Sequence, residues 1–210
     1  MAKQLKLFRS LTAAREAARD CRRCDLWKRA TQTVFGAGPA RARIMLVGET
    51  PGDKEDQAGE PFVGPAGQLL RRALEEAGVD VRSIYLTNSV KHFKWTERGK
   101  RRIHERPNHE EMLACRLWIE EEIRLVKPEI LVLLGAVAAA SLLGPKVRVT
   151  RDRGRPIASE LAPLVAVTVH PSSILRAPDE AARKLAWREF VRDLRKLLTG
   201  SPPRRTPETI

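Results

Sequence analysis

The sequence predicts an α/β fold, a three-layer sandwich with a central four-stranded, mostly parallel sheet between helices. Three observations carry that expectation. Four short apolar runs, ARIMLVG (42–48), SIYLTNSV (83–90), EILVLLG (129–135) and LVAVTVHP (164–171), have the length and near-continuous hydrophobicity of strands buried on both faces. Between them lie segments with apolar residues at helical spacing. The two kinds alternate along the chain, which is the pattern of βαβ units.

Each element follows from local signals. SLTAAREAARD (10–20) reads as a short helix leading into Cys-Arg-Arg-Cys. The first strand, 42–48, runs into ETPGDKEDQAGEPFVGP (49–65), which is rich in turn formers and reads as a long loop. AGQLLRRALEEAG (66–78) is a helix stopped by Gly78. The second strand, 83–90, opens into a basic segment, 91–107, read as a loop ending at Pro107. Asn108 can cap a helix over 109–126, and Pro128 ends it. The third strand is followed by the small-residue helix AVAAASLL, and the fourth by a long amphipathic helix over 178–198. The tail SPPRRTPETI has the composition of a disordered segment. Neither an internal repeat nor a linker divides the chain, so one domain over 1–199 and a disordered tail over 200–210 are expected.

Composition narrows the function classes. Hydrophobic residues make up 42% of the 210, enough for a core of ordinary size. No run approaches the ~18 apolar residues of a membrane span. MAKQLKLFRS lacks the apolar stretch and cleavage site of a signal peptide, so a soluble, cytoplasmic protein without a membrane partner is expected, and a monomer. The net charge is +13, from 39 Lys plus Arg against 26 Asp plus Glu, and such a surface attracts polyanions. Aromatic residues are only 5%, which argues against a broad stacking platform for single strands. Three cysteines, Cys21, Cys24 and Cys115, argue against a disulfide framework. The C-x-x-C spacing suits a metal, a cluster or a redox pair.

In parallel sheets, sites lie beyond the carboxyl ends of the strands. Three such ends carry reactive or polar residues here: Gly48-Glu49, Asn88 and His170-Pro171. GETPGD (48–53) places a carboxylate in a tight turn where the backbone can approach a ligand, but no lysine follows at phosphate-loop spacing. GAGPA (36–40) lacks the third glycine of a dinucleotide fingerprint and precedes a strand, so it is a loop. Asn88 has a donor and an acceptor on one planar amide, matching a uracil edge, whereas cytosine presents the reverse pattern. His170, in HPSSILR (170–176), could donate to a leaving-group oxygen, and Ser172, Ser173 and nearby N–H groups could hold a phosphate. His109 and Met112 belong to a helix start and ordinary packing. The three cysteines need a fourth ligand for a [4Fe–4S] cluster, and His92 lies on the expected loop. Zinc held by three cysteines and a histidine fits the same residues equally well. The remaining puzzle is GKRRIHERP (99–107), where His104 sits among Lys100, Arg101, Arg102 and Arg106.

GETPGDKED, EPFVGPAGQLL, TNSVKHFKW, the three cysteines and HPSSILR together resemble the family-four uracil-DNA glycosylases, iron–sulfur members of the uracil-DNA glycosylase superfamily. The loop GKRRIHERP and Val90-Lys91-His92 look like the X-type members, UdgX, which trap uracil-containing DNA covalently. The likeness covers about residues 15–198. It implies the superfamily's four-stranded parallel sheet and a [4Fe–4S] cluster rather than zinc, on Cys21, Cys24, Cys115 and His92, the histidine standing where family four has a cysteine. One departure is Thr50, where the X-type turn usually has glutamine; its backbone N–H could still contact the base.

The resemblance also implies roles. Uracil must leave the duplex stack, or be met in single-stranded DNA. Phe62 would stack on the flipped base, Asn88 would read its edge, and Gly48, Thr50, Asp53 and Asp56 would shape its pocket. His170 would stabilise the uracil anion and Glu49 the sugar cation. Lys100, Arg101, Arg102, Ser172 and Arg176 would hold phosphates. His104, kept neutral by four neighbouring cations, would attack C1′ in place of water, leaving free uracil and a DNA–protein adduct. The alternatives are a turnover glycosylase that leaves an abasic site, or a non-catalytic iron–sulfur DNA-binding module.

Overall fold

The computed structural model describes residues 8–199. The expected disordered tail, 200–210, lies outside the described residues. In chain order the elements are α1 (Leu11–Arg19), β1 (Ile44–Gly48), α2 (Asp53–Ala58), α3 (Pro65–Glu76), β2 (Ile84–Asn88), β3 (Trp95–Arg98), β4 (Arg101–His104), α4 (His109–Val126), β5 (Ile130–Leu134), α5 (Ala136–Leu143), α6 (Val149–Asp152), β6 (Pro156–Ile157), β7 (Leu164–Thr168), α7 (Pro171–Leu175) and α8 (Glu180–Leu198). No described helix is long and apolar enough to cross a membrane.

The main sheet has the order β2-β1-β5-β7-β6. Its first four strands are parallel, in register from Ile44 against Ile84 and Ile130 to Leu134 against Thr168. All four are buried at every position, as continuous apolar runs require. Alternate residues feed two cores. Leu46, Leu86, Val132 and Ala166 face α3 and α8 through Leu70, Leu74, Phe190 and Leu194. Met45, Tyr85, Leu131 and Val165 face α4 and α5 through Ile119, Ile123, Ala139 and Leu142. A third cluster joins Ala14 and Ala18 of α1, Cys21, Phe35, Val90, Cys115 and Trp118.

The sheet therefore has five strands, not four. β6 is two residues long, antiparallel to β7, and opens on Pro156. So short a strand has no readable periodicity, and its edge position tolerates a proline that donates no hydrogen bond. Two expected loops also contain structure. Residues 49–65 include α2, and the basic segment contains the antiparallel hairpin β3–β4. Arg98 pairs with Arg101, leaving the two-residue turn Gly99-Lys100; Gly99 takes φ 61° at the first central position, where a tight hairpin favours glycine. α7 lies just after β7, inside the motif read as HPSSILR.

A fully buried ion pair, Lys91 with Glu122 of α4, ties the end of β2 to the helix layer. Glu122 also accepts from Thr87 Oγ1, Tyr85 Oη (3.0 Å) and the Gly36 N–H (2.8 Å). Lys91 Nζ donates to Thr87 Oγ1 (2.7 Å) and to the Asn88 carbonyl (2.6 Å). Removing one partner strands a buried charge. Lys91→Met should therefore cost about 3–5 kcal/mol in a urea melt, and Lys91→Met with Glu122→Leu should recover part of it.

Candidate active site

The carboxyl ends of β1, β2, β5 and β7 lie on one side of the sheet, where the strand order reverses about β1 and β5. Such switch points open a crevice. Here a cavity of about 950 Å³ is lined by Glu49, Thr50, Phe62, Asn88, His104, Arg106, His170, Ser172 and Arg176, with Asp53, Lys100, Arg101 and Arg102 along its rim. Residues from strand ends far apart in sequence thus meet the hairpin.

The floor depends on close packing. A Cβ on Gly48 would lie 2.3 Å from Asn88 Oδ1 and 2.7 Å from Phe62 Cζ, so only glycine lets these two side chains approach β1. Phe62 is 4% exposed and holds φ 58°, a conformation uncommon for a bulky residue and expensive by about 1–3 kcal/mol. Glu55 stabilises the two loops that meet there, accepting from the Gly52 N–H (3.1 Å) and the Gly64 N–H (2.7 Å). From sequence, Asp53 and Asp56 of DKED are expected at the pocket and Glu55 has no assigned role. The reach from Glu55 back to Gly52, three residues earlier at a helix start, was the available signal for its role.

Glu49 follows β1. Its backbone is held by Ser89 Oγ (2.9 Å) and the Val90 N–H (3.0 Å), both on its carbonyl. Its Oε1 is buried without a hydrogen-bond partner among the described residues. Burial raises the Glu49 pKa, and Arg106 and Arg176 oppose that shift.

His170 caps α7. Its Nδ1 accepts from the Ser172 N–H (3.2 Å) and lies 2.8 Å from Ser172 Oγ. A backbone N–H can only donate, so the neutral ring carries its proton on Nε2. Burial, helped by His104 and Arg176, lowers the His170 pKa to about 4. The ring stacks on Phe62 at 6.3 Å between centroids. Gly135, at φ 92°, makes room, since a Cβ there would meet His170 Cβ at 2.9 Å.

His104 ends β4, paired with Trp95. Its Nε2 lies 2.6 Å from Thr50 Oγ1, and its ring is 6.1 Å from Phe93. Its pKa is lowered by partial burial first, then by Arg176 and Arg106, with Glu55 and Glu105 opposing. The four neighbouring cations expected from sequence are thus not the cause, apart from Arg106. Arg102 is held by Asp53 (2.6 Å) and Asp56 (2.6 Å) and lies over Phe93 and Trp95. It locks the hairpin to α2 instead of standing free for a phosphate. Asp56 is fully buried and does not line the cavity; it accepts from the Thr31 N–H and Oγ1 as well as Arg102. Gly48 lies below the lining residues, and the Ser172 and Ser173 N–H groups are already used on His170.

Cys21, Cys24 and Cys115 converge in the third cluster, with no disulfide. Cys115 Sγ accepts from the Lys91 N–H (3.2 Å), and Cys21 Sγ from Trp118 Nε1 (3.1 Å). N–H donors aimed at sulfurs suit an iron–sulfur cluster, whose sulfurs are tuned by such bonds. His92, 4% exposed, faces Thr33 Oγ1 at 2.9 Å, and burial keeps its imidazole neutral, as a ligand must be. Among the described residues no three Cys, His, Asp or Glu side chains are gathered tightly enough for a single metal ion.

The profile of the Uracil DNA glycosylase superfamily matches residues 35–195. The chain belongs to the uracil-DNA glycosylase superfamily. Its relatives include the Type-4 uracil-DNA glycosylase of Thermotoga maritima, 36% identical across 83% of this chain and 88% of the relative. The Type-4 enzyme of Pyrobaculum aerophilum is 34% identical across 88% and 91%. A Type-5 uracil-DNA glycosylase of the same organism is 30% identical across 63% and 62%. The superfamily match spans the cavity, the hairpin and Cys115; Cys21 and Cys24 precede it.

A neutral His170 in the folded superfamily member affects stability. Its folded pKa of about 4 lies below the ordinary 6.5 of an unfolded histidine, so the unfolded chain binds the extra proton between those values. This contribution is complete above pH 6.5 and is lost as pH falls toward 4. Unfolding free energies from urea melts should fall from pH 7.5 to pH 4.5 more steeply in the wild type than in His170→Gln, by about 1–3 kcal/mol.

Proposed function

We propose that the protein excises uracil from DNA and is then held covalently on the resulting C1′ through His104, as the X-type resemblance implies. The carrying observation is His104 itself. A neutral imidazole shares one cavity with Glu49, Asn88, Phe62 and His170, so a nucleophile stands beside the residues needed to release a base.

The chemistry follows from the side chains. Uracil enters the cavity unstacked, from single-stranded DNA or flipped from a duplex. Phe62 stacks on the ring, while the Asn88 amide accepts from N3–H and donates to O4. The C1′–N1 bond breaks and its electron pair leaves with uracil. His170 Nε2–H donates to the charged uracil oxygen, an effect of about 10²–10³ in rate for one well-placed donor. Glu49 offsets the charge on the sugar. The His104 lone pair then bonds C1′, and the released ring proton ends on Glu49, whose raised pKa suits a proton acceptor. Uracil takes up a proton and departs. Arg106, Arg176, Lys100 and Arg101 face the phosphates, whereas Arg102 fixes the hairpin.

Cys21, Cys24, Cys115 and His92 would hold a [4Fe–4S] cluster. When bound, it would act as a structural pin between the C-x-x-C segment, the exit of β2 and α4.

The test is a denaturing gel after the protein meets a uracil-containing single-stranded oligonucleotide, with a thymine control. A uracil-dependent band that survives boiling in SDS is expected. His104→Ser should abolish it and give alkali-labile sites, because water then reaches C1′. Alkali-labile sites with no band in the wild type would instead establish ordinary turnover. Neither product would leave a binding module.

A further inference from the structure

We propose that Thr50 is a positioning residue that sets the tautomer of His104, keeping the proton on Nδ1 and holding Nε2 bare at the cavity wall. This deepens the trapping reading of the same site and rests on it.

The argument begins with one hydrogen bond. Thr50 Oγ1 lies 2.6 Å from His104 Nε2. Thr50 is 7% exposed, and among the described residues its hydroxyl has no other hydrogen-bond partner. Two arrangements satisfy the distance. In one, Nε2–H donates to Oγ1. The buried hydroxyl hydrogen then has no acceptor, at a cost of about 1–3 kcal/mol. In the other, Nε2 is bare and the hydroxyl donates to it, which leaves only the Nδ1–H, on a solvent-exposed residue, for water to satisfy. The second wins on polar accounting alone. On the His104 side, Nδ1 has no protein partner among the described residues, so Thr50 is the side chain that decides between tautomers.

The backbone carrying Thr50 is fixed. The Ser89 N–H donates to the Gly48 carbonyl (2.9 Å) and the Val90 N–H to the Glu49 carbonyl (3.0 Å), tying this turn to the end of β2. The imidazole is fixed from the other side by the hairpin, which Arg102 anchors to Asp53 and Asp56. The hydroxyl therefore meets Nε2 at a defined place on the cavity wall.

The consequence is chemical. Only a ring nitrogen without hydrogen has an in-plane lone pair to give C1′. As the sugar arrives, the Thr50 hydroxyl yields its place. The Nε2 pair forms the N–C1′ bond, the C1′–N1 pair leaves with uracil, and the Nδ1 proton is shed. Without the hydroxyl, the ring is free to carry its proton on Nε2, and water competes for the cation. The histidine is then present but wrongly protonated, as in a catalytic triad whose orienting acid has been removed.

The test combines two readouts on the full chain. Nitrogen-15 NMR of ring-labelled histidine, without DNA, should show His104 Nε2 as a bare, pyridine-type nitrogen. Thr50→Val, nearly equal in volume, should shift it toward the protonated, pyrrole-type signal, and Thr50→Ser should keep the wild-type pattern. Under single turnover on a uracil oligonucleotide, Thr50→Val should lower the ratio of SDS-stable band to alkali-labile sites about tenfold, while Thr50→Ser stays within about twofold. A protonated Nε2 in the wild type, or a Thr50→Val protein unchanged in either readout, would overturn the proposal. A wild type that makes only alkali-labile sites would sink the trapping reading, and the NMR would still decide the tautomer.

Discussion

The buried pairing of Lys91 with Glu122 is the constraint on which the rest of the site depends. A lone charge at that depth would be prohibitive, so the carboxylate collects the ammonium, two hydroxyls and a backbone N–H. Tyr85 and Thr87 lie on β2, Lys91 just beyond it, and Gly36 on the segment before β1. The result is a fixed joint between β2, α4 and the strand leading from Gly36. Asn88 hangs from this joint through its own carbonyl, and Cys115 touches it through the Lys91 N–H. One polar cluster thereby orients a side chain of the cavity and a side chain of the cysteine cluster. Such a pair adds little net stability over a well-packed apolar core, but it permits only one register of helix on strand.

The hairpin is held by a second device of similar logic. Its stretch carries four cations in seven residues from Lys100 to Arg106, which would repel one another on a free loop. Arg102 is neutralised by Asp53 and Asp56 and covered by two aromatic faces, so it serves as the hinge pin. Arg106 remains close enough to influence both Glu49 and His104. The same residue type therefore has opposite work within one short segment. Arg102 gives up its charge to build the wall, and Arg106 uses its charge on the groups inside.

This division explains what could be read from the chain alone. The parallel strands were legible because burial on both faces leaves uninterrupted apolar runs. α4 and α5 were legible because Asn108 and the small-residue pattern mark them locally. The strand-end residues Glu49, Asn88 and His170 were legible because parallel topology sends those ends to one side. β6 and the hairpin were not, since two- and four-residue strands carry too little pattern, and the hairpin's polar residues read as a loop. Asp56 was misassigned for a related reason. Its proximity in sequence to GETPG suggested the pocket, but the α2 helix turns it inward toward Thr31. The Lys91–Glu122 pair escaped because its two members lie in different segments, 31 residues apart, which sequence spacing cannot join.

The two cavity imidazoles show why neighbouring groups matter more than residue type. Both have pKa values pushed down, and burial is the larger cause in each. They would be interchangeable if neutrality were all that counted. Their partners separate them. His170 meets a backbone N–H, which can only donate, so its free nitrogen must bear hydrogen and can stabilise an anion. His104 meets a hydroxyl with no other acceptor among the described residues, so the nitrogen facing Thr50 is left bare and can attack a cation. Bond cleavage at C1′ produces both charges at once, an anion on the base and a cation on the sugar. A site with one donor imidazole and one lone-pair imidazole answers both, and each is assigned by a single neighbour two residues or fifty-four residues away.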